Sequence, residues 1–202
     1  MASDKDSQLE VLSHHYSETF ELLKTDVAKR DRLFLYILIV IFLLLLYMSA
    51  PGVMGDLLNN FIRSELRDQS DANLIDVSFM GTILLLGLLS LSHTYFQTVL
   101  HVERQYKYVY QLEAELSSRF ESKAFSREGE FYKSQRRIFS LWTKAIFWWL
   151  FPSLFLLFIV AWLIFLWGSS EATFAYRIVG TLISLSILTS LGLYMLALLK
   201  KK

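Results

Sequence analysis

The sequence predicts an all-α integral membrane protein: four transmembrane helices with a cytosolic helical layer, and both termini on the cytosolic side. Three observations lead there. Of 202 residues, 54% are hydrophobic and 19% charged, with a mean hydropathy of +0.40, where a soluble domain carries about 25% charge. The apolar excess is gathered into four stretches that lack Asp, Glu, Lys and Arg: 33–55, 77–102, 145–170 and 178–199. Each is 22 to 26 residues long, and about 20 apolar residues cross a bilayer core. Finally, 17 of the 20 Lys and Arg residues fall in alternate segments of the chain. Together these exclude an ordinary soluble enzyme, a disordered chain and a transmembrane β-barrel, whose strands alternate polar and apolar residues over about 10 positions.

The charge asymmetry sets the topology, because Lys and Arg concentrate on the side of the membrane where the chain is made. Residues 1–32 carry five, 103–144 carry nine and the 200–202 tail three, against two in 56–76 and one in 171–177. The expected order is a cytosolic amphipathic helix (1–32), a first span (33–54), an outer loop (55–76) and a second span (77–100). A cytosolic helical segment (101–144), a third span (145–168), an outer loop (169–177), a fourth span (178–199) and a basic tail (200–202) follow. No early apolar signal peptide, lipidation motif or cysteine is present. The first span is then the targeting signal, and thiolate or disulfide chemistry is excluded.

Residues 9–32 read as a helix entering the first span. Leu9, Leu12, Tyr16, Phe20, Leu23 and Val27 recur every three or four positions, an apolar stripe along one face. Lys29, Arg30 and Arg32 suit the headgroup layer, and Tyr36 the interface. The second span is expected to continue as one helix to about Phe120, with a second stripe of Val102, Tyr106, Val109, Leu112, Leu116 and Phe120. Six such side chains cost about 1.5–3 kcal/mol each to leave in water. The stripes must therefore cover each other or be covered by further copies, and a homo-oligomer is expected. Gly129 marks a break before a short helix at about 131–142. Trp142, Trp148 and Trp149 fit the interfacial aromatic belt, and Pro152 predicts a kink near the start of an aromatic-rich third span.

The spans hold no charged residue, which argues against proton relays and ion-coupled transport. Span two places Gly87, Ser90, Thr94, Gln97 and His101 on one face, with His93 beside them. Span four carries the small-xxx-small pairs Gly180/Ser184 and Ser186/Ser190. Such residues let helices approach closely in lipid. The face on span two serves either bundle packing or a polar seam lining a water path between subunits.

No catalytic or metal constellation is found, so neither an enzyme nor a cofactor is expected. His14 and His15 are adjacent and make no i, i+4 metal pair, and no phosphate loop or nucleophile elbow is present. His101, with Glu103 and Arg104 at the membrane boundary, is a candidate proton-sensitive spot. The acidic residues Glu113, Glu115, Glu121, Glu128 and Glu130 read as a solvated face. The nine basic residues of 103–144 are accounted for by orientation and anionic headgroups, so direct nucleic-acid binding is not expected.

Two stretches carry a resemblance. One is the entry Lys29-Arg30-Asp31-Arg32-Leu33-Phe34-Leu35-Tyr36. The other is Leu112-Glu113-x-x-Leu116, Phe125-x-Arg127-Glu128-Gly129-x-x-Tyr132, Phe139-Ser140-x-Trp142 and Phe151-Pro152. Together they resemble small multipass membrane proteins of bacterial antiphage defence systems. Two kinds are similar: the membrane effector encoded beside a retron reverse transcriptase, and the membrane subunit of the Kiwa system. The first resemblance implies an inner-membrane effector that damages the bilayer when infection is sensed, giving abortive infection. The second implies a membrane sensor that holds a cytosolic DNA-binding partner. Either implies a soluble protein or nucleoprotein partner of the same system beside the lipid bilayer itself. Arg127, Glu128, Gly129 and Tyr132 then form a hinge or partner contact, or else a capped turn with a local ion pair. A small transporter or lipid-modifying enzyme is the least supported class, because it needs charged or catalytic groups that are missing.

Overall fold

The computed structural model describes residues 2–66, 77–119, 142, 145–169 and 172–200. Of these residues 97% are helical and none forms a strand. The elements are α1 (Ala2–Ser49), α2 (Pro51–Leu66), α3 (Val77–Arg119), a π-helical turn (Ile146–Leu150), α4 (Phe151–Gly168) and α5 (Phe174–Leu199). By length and composition α1, α3, α4 and α5 can each cross a membrane, which gives the all-α, four-span class expected.

Local chemistry explains where the helices break. The Ala50 N–H still reaches the Leu46 carbonyl at 3.0 Å, but Pro51 has no N–H with which to continue. Its fixed φ suits the first position of a new helix, where no donor is needed. The first helix therefore ends at Ser49 rather than at residue 54, and the stretch expected as an outer loop from residue 55 is helical as far as Leu66. At the third span, Pro152 would clash with the carbonyl four residues before it. The chain inserts a π turn just ahead, with the Phe151 N–H bonded to the Ile146 carbonyl. The π turn accommodates Pro152 without leaving the helical path. α5 starts at Phe174, ahead of the expected residue 178, because Thr173 caps it: its Oγ1 accepts the Tyr176 N–H at 3.3 Å. Arg177 thereby falls in the first turn of α5 rather than in a loop.

The chain divides into two compact units, each fed by α1 and α3. The first holds Met1–Arg32 and Gln97–Phe151. Its core is Leu23, Val102 and Val109, with Tyr16, Phe20, Val27 and Tyr106 packed around it. Leu112 and Leu116 are also buried. The two apolar stripes thus cover each other within one chain, and the requirement for further copies to cover them lapses. Glu113 is a second correction. It lies on the inner face beside Leu112, is buried rather than solvated, and accepts the Tyr16 hydroxyl at 3.0 Å. His14 lies 3.6 Å from Glu18 on the exposed side, while His15 Nε2 meets Tyr108 Oη at 2.8 Å.

The second unit holds Leu33–Phe96 and Pro152–Lys202. Hydrophobicity does not distinguish a neighbouring helix from lipid, so contact and ring geometry hold such a bundle together. Trp162 of α4 is fully buried, with the Tyr47 and Phe165 rings 5.9 and 5.8 Å away. Phe96 stacks on Tyr194 at 4.6 Å and meets Phe155 edge-on at 6.1 Å. The aromatic-rich third span thus packs through its rings. The Arg177 guanidinium donates to the Ser169 carbonyl at 2.6 Å and lies 5.8 Å from the Trp167 ring. A cation thereby satisfies the carbonyl end of α4, where the helix dipole favours it.

Gly81 is a contact that the sequence pattern does not flag. A Cβ there would stand 2.7 Å from Tyr176 Oη and 3.1 Å from Tyr47 Cζ. Gly81→Leu is expected to destabilise the bundle by about 1–3 kcal/mol through overpacking, while Gly87→Leu, whose Cβ meets nothing within 4 Å, is expected to cost far less. Denaturation in SDS–detergent mixtures compares the two.

Candidate functional site

Two features outside the packed cores carry chemistry, one in each unit. In the second unit, α3 buries Leu85, Leu88, Ser92, Tyr95 and Phe96. Ser90 and His93 on other faces are exposed, while Gly87 and Thr94 are half-buried. The polar face predicted from spacing therefore looks outward from this chain and lines no interior path of its own. Local bonds satisfy part of it: Thr94 Oγ1 donates to the Ser90 carbonyl at 2.9 Å. His93 Nδ1 lies 3.3 Å from Ser190 Oγ, which itself donates to the Ser186 carbonyl at 3.0 Å.

The residues singled out on the fourth span separate. Gly180 and Ser184 are buried, with Leu166 seated where a Gly180 Cβ would be, at 2.7 Å. Ser186 is exposed and Ser190 serves His93. Close packing thus uses the first small pair, and the second lies away from it. Arg127, Glu128, Gly129 and Tyr132 lie outside the described residues, as do Phe120 of the second stripe, Glu121 and Glu130 of the acidic group, and all of the short helix expected at 131–142 except Trp142.

In the first unit, the remaining seam residues Gln97 and His101 line a cavity of about 400 Å³ with Asp26, Lys29, Thr98, Leu100 and Arg104. α1 and α3 supply these side chains at three- and four-residue spacings, so each helix turns them to one side. Gln105 Nε2 donates to Asp26 Oδ2 at 2.8 Å and lies 3.1 Å from His101 Nε2. His101 Nε2 is itself 3.5 Å from Asp26 Oδ2. Nε2 accepts from Gln105 when it carries no hydrogen and donates to Asp26 when it carries one. The partners of His101 are therefore Asp26 and Gln105, and Glu103 does not line the cavity. Sequence reasoning named His101, Arg104 and Gln97 and set Lys29 at the headgroup layer, but missed Asp26 and Gln105. Their only signal was polar residues at helical spacing just outside two apolar runs.

Among the described residues no group of three or more His, Asp or Glu side chains could hold a metal ion. The geometry defines a helical protein with four candidate spans, compatible with a multipass membrane protein. No protein-family model matches the chain, and no curated protein or solved structure is significantly similar to it.

Proposed function

We propose that the protein is an inner-membrane component of a bacterial antiphage defence system. It self-associates in the bilayer and perturbs or permeabilises the membrane when infection is sensed. The observation that carries this reading is the outward polar face of α3. Ser90 and His93 are exposed there, and Gln97 follows on the same helix. Polar side chains at span level are better satisfied by the same face of a second copy than by hydrocarbon. Copies meeting there would place hydroxyl, amide and imidazole groups along a shared seam through which water and ions could pass. The cytosolic termini follow from the Lys and Arg distribution, and the defence setting follows from the sequence resemblance. The other reading that the resemblance implies is a sensor that recruits a cytosolic DNA-binding effector, and its natural contact would be the apolar stripes of α1 and α3. Those faces cover each other, so such a partner would need a different surface.

The chain contains no cysteine, so single-cysteine variants report contacts cleanly. Ser90→Cys is expected to form a disulfide dimer in membranes, with depolarisation of infected cells by the unmodified protein. The pair Thr94→Leu and Gln97→Leu is expected to weaken association about tenfold, since two interhelical polar contacts average about 0.6 kcal/mol each, and to preserve membrane potential. An unchanged potential in infected cells expressing the unmodified protein overturns the reading.

A further inference from the structure

We infer that the cavity in the first unit binds the phosphate headgroup of an anionic phospholipid. It is lined by Asp26, Lys29, Gln97, Thr98, Leu100, His101 and Arg104. Its depth follows from the chain: Lys29 lies four residues before the apolar run that opens at Leu33, and Arg104 two residues past the run that closes at Val102. Both helices leave hydrocarbon at this level, so the cavity opens where headgroups are. Its volume, about 400 Å³, falls within the range of small-ligand sites. The charge suits an anion. Lys29 and Arg104 are exposed, and neither has an acidic partner among the described residues. Asp26, the acid of the lining, already accepts from Gln105 and faces His101. Guanidinium and ammonium groups pair strongly with phosphate, the guanidinium through two parallel hydrogen bonds. Gln97 and Thr98 add polar groups, and Leu100 offers apolar surface on the side toward the acyl chains. Basic pockets between helices on the cytoplasmic side are a recurring lipid-headgroup geometry. The inference rests on the membrane topology put forward above and is independent of whether the protein permeabilises the bilayer.

The test uses the full chain purified in mild detergent with mixed phosphatidylglycerol and phosphatidylcholine, and counts retained lipids by native mass spectrometry. The unmodified protein is expected to retain phosphatidylglycerol preferentially. Lys29→Gln with Arg104→Gln is expected to lower that preference about 25-fold, at about fivefold per basic residue near the surface. The charge-preserving pair Lys29→Arg and Arg104→Lys is expected to keep most of it. Lys24→Gln, which removes an exposed cation of the same unit paired with Glu21 at 2.6 Å, is expected to leave it unchanged. All these positions are exposed, so loss of fold is not the anticipated cause, and an unchanged melting profile verifies it. Equal retention by the unmodified protein and the double glutamine variant overturns the inference. So does displacement of the bound lipid by millimolar inorganic phosphate, which would identify a soluble anion as the occupant. Depolarisation is measured separately, so lipid retention without permeabilisation would count against the effector reading and leave this site standing.

Discussion

Trp162→Ala is expected to destabilise the second unit, which holds the four candidate spans' packed aromatic core, by about 3 kcal/mol. The indole is fully buried, and removing it opens roughly 140 Å³ at about 24 cal/mol per Å³ of residual cavity. Transfer from lipid to protein interior adds little, so the loss is of packing with Tyr47 and Phe165. Trp162→Phe separates packing from polarity. The Trp162 indole N–H finds no acceptor among the described residues, and an unsatisfied buried donor is itself costly. Phenylalanine removes that donor while keeping most of the ring, so the expected loss is below about 1.5 kcal/mol. Steric-trapping measurements in bicelles would rank the two; equal losses would show that the indole nitrogen is satisfied after all.

Val109→Asp is expected to separate the paired helices of the first unit. Val109 is 0% exposed between Leu23 and Tyr106, and a lone carboxylate buried there costs about 3–5 kcal/mol. The helices could respond by opening rather than by holding the charge. Hydrogen exchange should then rise together across 9–32 and 97–119, while the spans stay protected. Val11→Asp is the control: that side chain is 67% exposed, and its change should stay within about 0.5 kcal/mol. Unaltered exchange in Val109→Asp would mean that the two stripes are not each other's cover.

Some of this organisation was legible in the residues and some was not. Apolar run length revealed the spans, because lipid tolerates no unsatisfied backbone and imposes a minimum length. Three- and four-residue spacing revealed which faces of α1 and α3 are apolar, and those faces hold Leu23, Val102 and Val109. Spacing does not name a partner, however. The same stripes permitted pairing within a chain or between copies, and only their juxtaposition decides for the former. Glu113 illustrates the same limit: its charge suggested solvent, and its register beside Leu112 placed it inside, against Tyr16. The cavity around Lys29 and Arg104 was invisible for a related reason, since its two walls lie some seventy residues apart in the sequence.

What the chain order alone determined is the class: helical rods, four of them long and apolar enough for a bilayer, with Lys and Arg set at alternate ends. These properties depend on local composition and on the solvent each segment must meet. Tertiary structure decided which stripe covers which, that the polar face of α3 points outward, and where Gly81 and Trp162 bring helices close. Those outcomes depend on shape matching between distant side chains, which no single segment carries.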